Sequence, residues 1–135
     1  MIKKLSHACF HSPNLEATRQ FYGDLLGMPV QFEFLKDGEL FGYYFDAGDG
    51  SFIEVFKGET EGVGSYGRHF CFEVESIDQL IARFEAAGQK HNGKKMGADQ
   101  SWQVWTTDPN GIPVEFQEYT PRSSQLTGKA CIVDW

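Results

Sequence analysis

Apolar side chains fall into two rhythms along this chain, and the pair of rhythms occurs twice. Leu15, Thr18, Phe21, Tyr22, Leu25 and Leu26 keep the i, i+3, i+4, i+7 spacing that gives a helix one buried face, and Ile77, Leu80, Ile81, Phe84 and Ala87 keep it again. Gly27 and Gly88 follow at matching places, where a left-handed residue ends a helix. Ahead of each helical pattern stands a short apolar run opened by His-x-Cys-Phe, at His7 and at His69. Behind each come segments rich in Phe, Tyr, Trp and Val. Turn signals such as Asp37-Gly38 and Asp49-Gly50 break them into strands.

The repetition extends to single positions. His7 and His69 are 62 residues apart, "DGSFIEVF" lines up with "NGIPVEFQ", and the glutamates of those two phrases, Glu54 and Glu115, are 61 apart. The pattern predicts an α+β fold of two βαβββ modules, about 4–58 and about 66–120, in one domain over 1–135 with a C-terminal tail at 121–135. Two such modules can keep their helices outside and turn one face of each sheet inward, giving a half-open sheet barrel around a cleft.

Length and composition agree with one compact chain: 135 residues, 41% hydrophobic, suffice for a real core. The net charge of -7, with no basic cluster larger than the pairs Lys3-Lys4 and Lys94-Lys95, argues against the positive footprint a nucleic acid needs. No apolar run is long enough to span a bilayer, and Met1-Ile2-Lys3-Lys4 lacks the apolar stretch of a secretion signal, so a soluble cytoplasmic protein without a membrane partner is expected. Cys9, Cys71 and Cys131 are odd in number and match no zinc or disulfide spacing, which favours reduced thiols.

Candidate chemistry comes from the histidines and glutamates. One His and one Glu on the strands of each half give a set of His7, Glu54, His69 and Glu115 if the halves pack with approximate two-fold symmetry. Imidazole and carboxylate together suit a divalent ion such as Ni, Co, Zn, Mn or Fe, and four such ligands leave two octahedral positions for substrate or water. Each glutamate is the only charge in an apolar strand core, "FIEVF" or "IPVEF". A buried carboxylate there needs a partner. The alternative is that the glutamates face water and alternate with inward Ile53, Val55, Val114 and Phe116.

The phrases "LSHACFHSPNLEATRQFYGDLLGM", "FIEVF", "RHFCFEV" and "TDPNGIPVEFQE" resemble the vicinal oxygen chelate superfamily, the glyoxalase, bleomycin-resistance and extradiol dioxygenase group, over the chain to about Tyr119. Closest is the glyoxalase I type. The resemblance implies that His7, Glu54, His69 and Glu115 hold the metal ion. It further implies proton abstraction next to a carbonyl, with Glu115 as base and Glu54 sharing the role, on a small-molecule substrate in a homodimer. Four ligands favour a lyase or isomerase over the three-ligand dioxygenases and fosfomycin-modifying enzymes. A related epimerase usually carries Gln at the position of Glu54. The alternative in another class is a metal-free small-molecule binding or resistance protein. Glutathione-specific relatives have Arg where His11 stands and Asn where Gly58 stands, so the substrate is expected not to be glutathione-bound.

Remaining candidates have plainer readings. Cys9 and Cys71 share a strand face with the histidines and read as small residues packed on the cleft floor rather than thiolate ligands. His11 either touches substrate or lies at the surface, and His91, in "QKHNGKK", reads as solvated. Phe41, Tyr43, Phe45, Trp102 and Trp105 could shape a pocket but read first as core. The apolar end of "TGKACIVDW" predicts a docked tail.

Overall fold

In the computed structural model, residues 7–59 and 69–127 are described. The chain before His7, the start of the second module, Cys131 and the apolar end of the tail lie outside them. The first module runs β1 (His7–Ser12), α1 (Leu15–Thr18) continuing as a π-helix (Arg19–Leu25), β2 (Val30–Lys36), β3 (Glu39–Gly48) and β4 (Ser51–Lys57). The second runs β5 (Phe70–Glu73), α2 (Ile77–Ala87), β6 (Lys95–Met96), β7 (Trp102–Thr107) and β8 (Pro113–Glu118), followed by a short α3 (Ser124–Thr127). Each module forms one four-stranded mixed sheet, ordered β1-β4-β3-β2 and β5-β8-β7-β6. First and last strands are parallel and the others antiparallel. The α+β architecture of two βαβββ modules is therefore present, and the sheets are not closed.

The contacts divide the chain into two compact units. One holds the first module together with Asp108–Gly111; the other holds the rest of the second module.

Local chemistry explains the elements. Asp37-Gly38 and Asp49-Gly50 all have positive φ (53, 80, 48 and 67°), the backbone of the tight turns whose twist matches the strands they join. The Ser76 side chain accepts a hydrogen bond from the Gln79 N–H and starts α2, and Gly88 ends it in the left-handed conformation at φ 69°. The first helix departs from the expected α-helix. After one α turn, capped by Asn14, it widens so that the Leu26 N–H reaches the Phe21 carbonyl at 3.0 Å. The Arg19 guanidinium meets the Asp24 carboxylate in a two-point contact at 3.0 Å, a pairing five residues apart that the wider turn accommodates. Adjacent Phe21 and Tyr22 are both buried here, their rings edge to face at 4.9 Å.

In the first unit the helix covers the sheet through Phe10, Phe21, Tyr22, Phe45, Ile53 and Val55, all buried. Ile77, Phe84, Val104, Val114 and Phe116 do the same in the second. Each such side chain stabilises by about 1.5–3 kcal/mol. Because side chains alternate along a strand, burying Ile53 and Val55 turns Phe52, Glu54 and Phe56 to the other face, and burying Val114 and Phe116 turns Glu115 and Gln117 there. Tyr43 and Phe45 are core, as expected, whereas Phe41, Trp102 and Trp105 are half-buried. His91 is also half-buried rather than simply solvated: its Nδ1 accepts the Gly93 N–H at 3.1 Å, and its ring lies 6.0 Å from that of Phe84.

Gly42 marks a close approach. It pairs with Phe34 on one side and Phe56 on the other, whose rings meet 4.6 Å apart, and a Cβ at Gly42 would collide with the Val55 carbonyl oxygen and the Phe56 ring. Gly42→Ala is expected to destabilise by at least about 1–3 kcal/mol, read as a lower urea midpoint at unchanged slope. An unchanged midpoint would show that β3 and β4 shift apart freely.

Candidate active site

In the first unit the parallel register sets Cys9 beside Glu54 and His11 beside Phe56, with the antiparallel partner Tyr44 on the far side of Glu54. His7 opens β1, in register with Phe52; its side chain lies outside the described residues. Glu54 is half-buried. The Cys9 thiol hydrogen-bonds to it, and the thiol pKa is pushed up to about 11, first by desolvation and then by the bond to Glu54 and its charge.

Around Glu54 the face is aromatic. Phe32 stacks on Tyr44 at 4.5 Å and Tyr44 on Phe52 at 4.8 Å, while Phe34 joins Phe56 across Gly42. Phe32 remains 46% exposed, so the outer end of this ladder is open to a planar partner.

The second unit has the stronger polar focus. Glu115 is only 7% exposed, which excludes a glutamate simply facing water. Its Oε2 is 3.2 Å from His69 Nε2, and its Oε1 accepts a hydrogen bond from Gln117 Nε2 at 3.1 Å. Cys71, its register partner, adds a thiol donor; the Cys71 pKa rises to about 12, through desolvation first, then the charge and hydrogen bond of Glu115, then the charge of Asp99. His69 stands immediately before β5, with its ring edge to face with Trp105 at 4.7 Å, and Trp105 is the antiparallel partner of Glu115.

The structure thus brings His69 to Glu115 and Cys9 to Glu54, and seats each cysteine beside a glutamate rather than only on the face of a histidine. Sequence reasoning missed Trp105 and Gln117 as site residues. Period-two alternation from Glu115 places Gln117 on its face, and counting back through the β7–β8 turn reaches Trp105. The usable signal was register.

The donors in the second unit fit a divalent ion. Two bonds of about 2.0–2.2 Å at a right angle set their donor atoms about 3 Å apart, close to the spacing of His69 Nε2 and Glu115 Oε2. Among the described residues, no three His, Cys, Asp or Glu side chains converge on one metal position.

Two βαβββ modules, each with a glutamate on the sheet face turned from its helix, define the architecture. The chain belongs to the Glyoxalase/Bleomycin resistance protein/Dioxygenase superfamily, whose family model matches residues 4–116. Among solved structures it is similar to a glyoxalase family protein from Enterococcus faecalis (24% identity, TM-score 0.71, covering 86% of this chain and 98% of that one). It is similar also to lactoylglutathione lyase from Agrobacterium tumefaciens (21%, 0.67, 87% and 94%). A third is TnmS3, an antibiotic binding protein from Streptomyces sp. CB03234 (14%, 0.69, 88% and 98%). At these identities the likeness is one of fold. No curated protein matches the chain. Among the described residues no helix is long and apolar enough to cross a membrane.

Both thiols belong to residues exposed by area, yet neighbouring side chains dry the sulfur and the adjacent carboxylates disfavour the thiolate. At about pH 8 a thiol at pKa 11 holds roughly a hundredfold less thiolate than one at 9, and one at 12 roughly a thousandfold less, so alkylation by iodoacetamide, followed by peptide mass spectrometry, is expected to be slower by about those factors at Cys9 and Cys71 respectively. Because both values are raised, the stability these thiols contribute is complete below about pH 9 and is lost as pH climbs through about 11 for Cys9 and about 12 for Cys71. Alkylation at the rate of a free thiol would contradict both statements.

Proposed function

We propose that this protein is a metal-dependent lyase or isomerase of the glyoxalase I type, with His7, Glu54, His69 and Glu115 as ligands to a divalent Ni, Co, Zn, Mn or Fe ion. The observation that carries the reading is the buried Glu115 carboxylate facing His69 Nε2 at 3.2 Å. Family membership supports it, since the superfamily contains enzymes that use divalent metals. A divalent ion held there would supply Lewis-acid polarisation of a substrate carbonyl. Glu115 takes a proton from the hydroxyl-bearing carbon next to that carbonyl and returns it to the carbonyl carbon while the hydroxyl proton passes to the former carbonyl oxygen, with Glu54 in the pseudo-equivalent position to share the transfer. His69 and Gln117 hold the two oxygens of Glu115 apart in function: one faces the imidazole, the other is tied down.

The substrate reads as a small α-oxygenated carbonyl compound that is not glutathione-bound. His11 and Gly58 stand where glutathione-specific relatives carry Arg and Asn, and they lie against each other: a Cβ on Gly58 would come within 3.2 Å of the His11 ring. Neither supplies the guanidinium or the side-chain amide that those relatives present there. We also infer a homodimer in the cytoplasm; the exposed apolar residues Val30, Phe32 and Leu35 on β2, an edge strand, support self-association.

One observation favours a second reading, a small-molecule binding protein on the same scaffold. It is the Phe32–Tyr44–Phe52 ladder beside Glu54, a surface suited to a flat ligand without chemistry.

Metal analysis of untagged protein purified without chelator, with turnover of α-keto aldehyde thiol adducts, tests the two. The first reading expects about one ion per chain, loss of turnover on chelation, and a loss of roughly 100-fold or more in Glu115→Gln with its melting temperature little changed. Absence of metal, with none taken up on dialysis and ligand binding unaffected by chelator, would move the protein to the second.

A further inference from the structure

Glu115 does not hold its position alone. Gln117 Nε2 donates to Glu115 Oε1 at 3.1 Å and to Asp99 Oδ2 at 3.2 Å, so both amide hydrogens are spent on carboxylates. The Gln117 Oε1 accepts from Gln125 Nε2 at 3.1 Å, and the same nitrogen donates to Asp99 Oδ2 at 2.5 Å. Gln125 Oε1 in turn accepts the Ser101 hydroxyl at 3.2 Å, and the Ser101 N–H donates to Asp99 Oδ1 at 3.1 Å. These contacts leave neither amide free to flip: reversing Gln117 would set its carbonyl oxygen against two carboxylates.

The anchor of this network is the segment after β8. Ser101 and Ser123 are fully buried and bonded at 2.9 Å, the Ser124 N–H donates to the Asp99 carbonyl at 2.8 Å, and Thr120 Oγ1 donates to the Gln100 carbonyl at 2.8 Å. Gln125 therefore projects from α3 onto a fixed base, although its own surface is exposed. Asp99 completes the charge pattern. Burial raises its pKa, but the donors from Gln125 and Ser101 outweigh that and keep the carboxyl ionised.

We propose that Gln117, locked by Asp99 and by Gln125 of the C-terminal segment, is the positioning residue that fixes Glu115. By occupying Oε1 it leaves Oε2 as the oxygen presented to His69. A glutamate side chain has a broad terminal torsion, so without this donor the plane of the carboxylate is no longer held toward His69. Partners that orient a ligand in this way typically govern roughly 10–100-fold of metal affinity. The proposal rests on the reading of Glu115 as a metal ligand for its consequence, but its geometric content concerns the protein without metal.

The test uses Gln117→Met, which keeps length and removes the donor, and Gln125→Met, whose exposed side chain makes misfolding improbable as the cause of any effect. Two readouts are taken on each: Co²⁺ affinity from the visible absorption of titrated protein, and the His69 ring ¹⁵N signals of the metal-free protein by NMR. Gln117→Met is expected to weaken Co²⁺ binding by roughly 10–100-fold and to shift the His69 ring signals as Glu115 leaves its place. Gln125→Met is expected to do both more weakly in the same direction. If wild type binds no Co²⁺ while the His69 signals still move in Gln117→Met, the metal reading fails and the positioning role stands. Unchanged His69 signals and unchanged Co²⁺ affinity in a folded Gln117→Met protein overturn the proposal.

Discussion

Parallel pairing between the first and last strands of each module is the constraint from which the rest follows. A parallel pair cannot be closed by a tight turn, so the chain must make a long excursion and return. In both modules that excursion consists of the helix and two further strands, and the returning strand, β4 or β8, enters between the first and third. The strand that carries the glutamate is thereby flanked on both edges by hydrogen-bonded neighbours. A side chain on it is held more rigidly than any loop could hold it. Burying one alternation of that strand under the helix fixes the other alternation on the opposite face. Glu54 and Glu115 owe their orientation to Val55 and Phe116 as much as to themselves.

The two modules differ once the backbone is set. In the first, Glu54 is half-buried among rings, with Cys9 as its partner in register. In the second, Glu115 is nearly enclosed and is met by His69, Gln117 and Cys71. A buried carboxylate without donors would cost several kcal/mol, so the burial of Glu115 is possible only because the surrounding side chains replace water. The two modules share one strand order and differ in the polar side chains around the glutamate.

The first unit contains a polar core of its own. The Tyr22 hydroxyl donates to Asp108 Oδ2 at 3.1 Å with both residues buried, and burial together with the Asp108 charge keeps that phenol protonated well beyond its ordinary range. Asn110 Nδ2 bridges Asp108 Oδ2 at 3.0 Å and Thr18 Oγ1 at 3.1 Å, and Thr18 pairs with Ser12 at 2.9 Å. Residues from the "TDPNG" phrase of the second repeat thus complete the interior of the first unit. The cluster satisfies its buried groups apart from Asn110 Oδ1, which has no hydrogen-bond partner, and such clusters favour one arrangement because others strand more buried groups.

The sequence by itself determined the repeat, the two βαβββ modules, the Gly27 and Gly88 helix ends, the Asp-Gly hairpins, and that each glutamate alternates with apolar neighbours on its strand. These depend on periodicity and local backbone preference, which a linear pattern carries. It did not disclose the π-helical widening after Thr18, since a segment of seven residues is too short for its apolar spacing to separate the two helices. Nor did it disclose that Glu115 is buried while Glu54 is half-open. Tertiary structure alone decided that Trp105 lies against His69, and that Asp99, Gln117 and Gln125 form a network reaching Glu115. Those contacts join residues far apart in the chain, and they exist only after strand register and the docking of α3 have fixed which polar atoms must satisfy one another.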